Sequence, residues 1–274
     1  MSGKPRTAEG SADRVLVEEV EHQGVAIALL TLNRPAEHNP IDEATIAALE
    51  EALQAIVDSG QARALVITGA GPSFSSGGDL KGYQALFRDR PRFERFVDAF
   101  SRVCLLIERC QIPTAAMVNG TCMAGGMELA LSCDLITVAE EARIGDGHLR
   151  FSQMPGSGAQ RLVRAIGLQR ARHWLLTGDL HSGPEAVEAG LAIGAVPVAD
   201  LRTYTLDEIA RICRASPLAL AGVKRLIVAA QTKPLDEGLE IEAQTAVEYA
   251  TGSSDAIEGI TAFAERREPR FVGR

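Results

Sequence analysis

Aromatic side chains are scarce in this chain. They make up 4% of 274 residues, with one tryptophan, three tyrosines and eight phenylalanines. A surface that stacks nucleobases needs aromatic faces, so this composition argues against one. Positive charge is short as well: 28 Lys and Arg stand against 36 Asp and Glu, a formal net charge of −8, whereas a nucleic-acid protein usually carries a net basic face. A small anionic ligand needs only one local basic patch and is not excluded. The five cysteines (Cys104, Cys110, Cys122, Cys133 and Cys213) form no CxxC pair and match no Cys/His zinc spacing. They read as buried free thiols in a reducing cytoplasm, with no metal. No apolar run approaches the roughly 20 residues of a membrane span. The opening "MSGKPRTAEGSADR" lacks the apolar stretch of a signal peptide, so residues 1–14 read as a short disordered arm.

What the chain does have is aliphatic. Hydrophobic residues are 46% and charged residues 23%, an ordinary balance for a globular protein whose core is built from Ala, Leu, Val and Ile. Strand and helix signals alternate through the first two thirds. "VAIALLTL" (25–32) is an apolar run of strand length stopped by "NRP". Asp42 then caps a helix whose apolar residues fall at Ile46, Leu49, Leu53, Ile56 and Val57, and Gly60 ends it. Further strands are expected at 64–69, 114–120 and 134–139, with a helix around 93–109. Strands buried on both faces and joined by helical crossovers describe an α/β layered core over 15–200. Ser182 and Glu185 stand at capping-box spacing. Residues 201–274 read as consecutive helices, a C-terminal region that either completes its own domain or covers a neighbouring subunit.

Two loops carry chemistry. "PSFSSGGDLK" (72–81) follows the strand at 64–69, and its glycines Gly77 and Gly78 present N–H groups unshielded by side chains. "NGTCMAGGMELALSCDL" (119–135) is again strand, glycines, then helix, and the free N–H groups of a helix start favour negative charge. One amide from each loop, meeting at a carbonyl oxygen, would make an oxyanion hole. A glycine pair after a strand also serves as a plain turn. Neither loop has the ending of a P-loop or the GxGxxG of a dinucleotide site. Glu128, in the first turn of that helix, is either a catalytic carboxylate or dipole compensation.

Taken together, "LNRP", "FSSGGDLK", "VNGTCMAGGMELALSCDLITVAEEARIG", "MPGSGAQRLVRAIG" and "LTGDLHSGPEAVEAGL" resemble, in order, the signatures of the enoyl-CoA hydratase/isomerase (crotonase) superfamily. The resemblance runs from about residue 15 to 271. It implies a crotonase-like spiral of ββα units, a helical C-terminal oligomerisation region, and homotrimers commonly paired into hexamers. It implies an acyl-CoA substrate, with coenzyme A as part of that substrate and no prosthetic group, and the thioester oxygen between the Gly78 and Gly125 amides. It suggests CoA contacts at Lys81, Arg34, Phe263 and Arg266, and an acyl pocket bordered by residues 84–100. Glu128 matches one of the two catalytic glutamates of hydratases.

The second glutamate does not match. The stretch "IGDGH" places His148 where the family's second carboxylate stands, which removes support for simple isomerase activity and questions ordinary hydratase chemistry. An imidazole titrates near neutrality and can exchange a proton at carbon, and Asp146, two residues earlier, is a candidate to orient it or raise its pKa, a spacing that does not by itself establish contact. Otherwise His148 lines the acyl pocket. The expected activity is reversible addition of water to an α,β-unsaturated acyl-CoA. The alternatives are hydrolytic C–C cleavage of a β-dicarbonyl or β-keto acyl-CoA, and a non-catalytic acyl-CoA-binding subunit.

Overall fold

The computed structural model describes residues 14–274. The expected N-terminal arm therefore lies outside the described residues except at Arg14, which pairs with Asp42 at 2.6 Å. Strand β1 (Val15–His22) and strand β2 (Val25–Leu32) form an antiparallel hairpin. Its turn residues, Gln23 and Gly24, both have positive φ, the geometry whose twist suits a two-residue hairpin. β1 goes unread in the sequence because its half-exposed "VLVEEVEH" lacks the continuous apolar run that marks β2.

Helix α1 (Glu43–Ser59) starts where expected, with Asp42 accepting from Thr45 N–H at 2.8 Å, and stops at Gly60 in the left-handed conformation. Ile46, Leu49, Leu53 and Ile56 are buried, but Val57 points outward and is 52% exposed. Strand β3 (Ala64–Gly69) and strand β4 (Ser73–Ser75) lead to α2 (Leu80–Leu86) and α3 (Arg90–Glu108). Strand β5 (Thr114–Val118), strand β6 (Thr121–Met123) and helix α4 (Gly125–Ala130) repeat the pattern. So do strand β7 (Leu135–Ala139), strand β8 (Arg143–Gly145), α5 (Ala159–Ile166) and α6 (Leu168–Thr177). Strand β9 (His181–Ser182), α7 (Gly183–Glu188) and strand β10 (Gly194–Val196) finish the sheets. The expected capping box of Ser182 and Glu185 opens α7. Helices α8 (Val198–Ile212), α9 (Pro217–Thr232), α10 (Leu235–Gly252) and α11 (Ser254–Glu265) follow.

The strands sort into two sheets, one of six in the order β1-β2-β3-β5-β7-β10 and one of four in the order β4-β6-β8-β9. From β3 to β8 each successive strand pair gives its first strand to the large sheet and its second to the small one. The large sheet is parallel from β2 to β10. Its inner strands β3 and β5 are buried at every residue and β2 at nearly all of them, which is why these strands read as near-unbroken apolar runs. In the small sheet β4, β6 and β8 run parallel. Neighbouring strands lie about 4.8 Å apart, so the loops leaving their C-terminal ends emerge side by side.

The expected boundary near residue 200 falls at the start of α8, and α8 belongs to the core. Its Leu201, Leu206 and Ile209 are buried, and Thr205 bonds Thr137 of β7 at 2.7 Å. The outlying helices begin with α9, whose buried Lys224 reaches the Ile112 carbonyl at 2.9 Å and the Asp134 carboxylate. Beyond it Val223, Ile227, Leu235, Leu239, Val247, Ile257, Ile260 and Phe263 leave large apolar side chains exposed.

Candidate active site

The three parallel strands of the small sheet each end in one part of the site. β4 leads into Gly77 and Gly78, β6 into Ala124 and Gly125, and β8 into Asp146 and His148. Gly77 has φ of 86°, and a Cβ there would meet the Met123 carbonyl at 2.9 Å and Gly125 N at 3.1 Å. The two glycine loops therefore touch backbone to backbone. A Cβ on Gly125 would lie 3.7 Å from Gly78 N. Neither the Gly78 nor the Gly125 N–H donates a hydrogen bond among the described residues. Ala124, immediately before Gly125, holds φ 50° and ψ −120°, a conformation costly for a residue with a side chain. The strain therefore sits where the two glycine loops touch.

Glu128 is 3% exposed, one turn into α4. Its Oε1 accepts from both Ser157 N–H and Gly158 N–H at 2.7 Å, whereas Oε2 has no partner among the described residues. A carboxylate held through one oxygen has a fixed direction and a second oxygen free to act on a ligand. Gly158 permits this approach, since a Cβ there would lie 2.7 Å from Glu128 Cγ. The Ser157 and Gly158 amides were not among the site residues read from the sequence. The glycines of "MPGSG" were visible, but which carboxylate they serve depends on contact across 30 residues.

His148 opens a short 3-10 turn, and its Nδ1 lies 3.1 Å from Asp146 Oδ2. The same carboxylate takes the His148 backbone N–H at 3.2 Å through Oδ1. An ionised carboxylate only accepts, so Nδ1 carries the proton and Nε2 is left to face outward from the pair. Asp146 is 1% exposed. Burial pulls the imidazole pKa down, but the hydrogen bond and charge of Asp146, with the charge of Glu128, outweigh it and raise the pKa above the ordinary histidine value. Gly147, at φ 66°, lets this loop lie on Met123, whose Sδ would be 2.6 Å from a Cβ.

The remaining expected residues are placed less tightly. Lys81 is exposed near the start of α2. Arg34 is engaged by acidic neighbours, Asp42 at 2.7 Å and Glu37 at 2.6 Å and 3.1 Å. Glu37 is held below the ordinary carboxylate range foremost by that Arg34 hydrogen bond, and then by the charges of Arg34, Lys81 and Arg14. Lys81 and Arg34 thus both act on Glu37. Phe263 is 87% exposed on α11 and Arg266 ends that helix in the left-handed conformation; no hydrogen bond joins either to the glycine loops among the described residues. The segment 84–100 forms parts of α2 and α3 and supplies a ring cluster of Phe87, Phe93 and Phe96 with Tyr83. The cysteines are free, and burial raises the Cys104 thiol to about 11, so these thiols are unreactive near neutrality. Among the described residues no cluster of three metal-ligating side chains occurs and no helix is long and apolar enough to cross a membrane.

Residues 22–274 match the family model described as enoyl-CoA hydratase/isomerase. The chain is 34% identical over 255 residues to the 2,3-dehydroadipyl-CoA hydratase of Escherichia coli K12, covering 90% of this chain and 96% of that one. It is 32% identical over 250 residues to a probable mitochondrial enoyl-CoA hydratase of Dictyostelium discoideum, covering 89% and 87%. Its fold superposes on the crystal structure of an enoyl-CoA hydratase from Bacillus anthracis with a TM-score of 0.88 at 29% identity, over 96% of this chain and all of that one.

Proposed function

Because the chain belongs to the enoyl-CoA hydratase/isomerase family, we propose that it adds water reversibly across the α,β double bond of an enoyl-CoA, with His148 doing the work of a second carboxylate. The observation that carries this reading is one convergence. Two free amides, a carboxylate tied through one oxygen and a histidine–aspartate pair all follow the C-terminal ends of the neighbouring strands β4, β6 and β8.

In this reading Gly78 and Gly125 N–H hold the thioester oxygen and stabilise the enolate that forms when water adds. Glu128 Oε2 takes a proton from water as the water oxygen bonds to the β-carbon. His148, protonated and oriented by Asp146, gives its Nε2 proton to the α-carbon. The product leaves Glu128 protonated and His148 neutral, and exchange with solvent returns the proton to the histidine. Coenzyme A enters as part of the substrate, with Lys81 as its phosphate contact, and no prosthetic group takes part. Arg34 contributes there only after loosening from Glu37 and Asp42. The exposed apolar side chains of α9 to α11 suit the trimer or hexamer interface, where Phe263 and Arg266 would meet a neighbour's ligand.

The test is loss of the conjugated-thioester absorbance with a panel of short, long and branched enoyl-CoAs. Turnover of at least one supports hydration, and no turnover of any removes it. The Asp146–His148 hydrogen bond also suits activation of water for C–C cleavage. Cleavage of a β-keto acyl-CoA seen by product mass, with no hydration, would move the pair to hydrolysis. Binding without any turnover would leave a non-catalytic acyl-CoA subunit. Light scattering reads the oligomer.

A further inference from the structure

Tyr83 has no part in the reaction as described, yet it stands beside it. It lies in the middle of α2, whose start is capped by Asp79 accepting from Lys81 N–H at 3.0 Å. Its ring is fixed by neighbours, tilted on Phe87 with centroids 5.1 Å apart and edge-on to Phe96 at 5.8 Å. The hydroxyl end lies directly over Gly78. A Cβ built on Gly78 would be 1.8 Å from Tyr83 Oη and 2.3 Å from Cζ, so the phenol packs against the glycine itself. The same glycine carries one of the two free amides.

Among the described residues the Tyr83 hydroxyl makes no hydrogen bond. A partly buried phenol ordinarily finds an acceptor, and the ligand oxygen assigned to Gly78 N–H is the acceptor its position suits. Burial first, then the charges of Glu128 and Asp79, push its pKa up to about 12. The phenol therefore keeps its proton wherever His148 is active, and the influence of Glu128 places the two side chains within electrostatic reach.

We propose that Tyr83 Oη–H is a third hydrogen-bond donor to the thioester oxygen, completing the cradle of the Gly78 and Gly125 amides and so acting as a catalytic residue. The proposal rests on the placement of that oxygen in the reading above. No proton is transferred; the hydrogen bond tightens as negative charge moves onto the oxygen, so its effect falls on kcat more than on KM. The Phe87 and Phe96 contacts hold the phenol ring in place for this role.

The test is Tyr83→Phe, which keeps the ring contacts and removes only the hydroxyl. Two measurements are made on it: steady-state hydration, and the infrared carbonyl frequency of a bound saturated acyl-CoA labelled with 13C at the thioester. Expected are a kcat lowered about 10- to 100-fold with KM within about 2-fold, a loss at or below that of removing one oxyanion donor, and a carbonyl less shifted than in the unsubstituted protein. An unchanged carbonyl frequency, or a change confined to KM that varies with chain length, overturns the proposal and leaves Tyr83 as pocket wall. The infrared reading needs only binding. A shifted carbonyl that does not respond to Tyr83→Phe sinks this inference alone, while a carbonyl unshifted in the unsubstituted protein sinks the placement of the oxygen as well.

Discussion

The segment from β6 through α4 and the loop from Asp146 to Met154 both feed the same site, but they are built differently. The first is sealed. Gly125 to Ala130 are buried without exception, a Cβ on Gly126 would lie 2.6 Å from the Ser75 carbonyl, and Glu128 is locked by two amides. The second hangs from the buried Asp146 and then opens outward, with Leu149, Phe151 and Met154 at 39%, 48% and 78% exposure. Close backbone packing tolerates no added volume, whereas an exposed loop can change its side chains without disturbing a core. The contrast teaches where variation is tolerated: Gly125 and Glu128, to which the proposed reading gives the thioester oxygen and the water, belong to the sealed part, and His148, to which it gives the α-proton, sits in the open one.

Replacing Glu128 attacks the sealed part directly. Glu128→Gln is expected to lower kcat about 1,000-fold, within the usual span for a general acid–base group, with an unchanged melting temperature by circular dichroism. Gly158→Ala tests whether the seal matters as much as the carboxylate. Its Cβ would press on Glu128 Cγ, and a misplacement of about 1 Å costs on the order of 100-fold. A rate within about 2-fold of the parent enzyme would mean that the two amides do not set the direction of Glu128.

His148→Ala, in the open loop, is expected to cost about 100-fold in kcat, and His148→Glu to recover part of that loss. No recovery would argue against equating this position with the second carboxylate. Asp146→Asn makes the smallest change. The imidazole pKa is raised, so His148 holds its proton above the ordinary histidine range, and with His148 as the proposed proton donor kcat/KM for hydration is expected to fall as pH rises through that raised value. Without the Asp146 charge the fall should begin at lower pH, while the acid side of the profile stays in place. An alkaline limb that does not move would remove His148 as the proton donor.

Much of the core was readable because its signals are local. The apolar runs at 25–32 and 64–69 become β2 and β3 at those bounds, and Asp42 and Gly60 delimit α1 as side-chain cap and left-handed stop. The three-residue strands β4, β6 and β8 escaped notice because their pairing, not their composition, makes them strands. Val57 reads as core by spacing and turns out exposed, since α1 buries a stripe set by what packs on it. Of the site, Gly78, Gly125, Glu128 and His148 were legible as residues in glycine-loosened loops. The Ser157 and Gly158 amides and the Tyr83 hydroxyl were not, because each matters only through a partner distant in the chain or hidden in the turn of a helix.

By itself the sequence determined the alternation of strands and helices and the family. These depend on residue type and order, which any conformation of the chain preserves. Tertiary structure alone decided that the ends of β4, β6 and β8 lie side by side. It also decided which oxygen of Glu128 is free and that a phenol covers Gly78. Those are facts of direction and distance, set when two sheets pack, and no single stretch of the chain contains them.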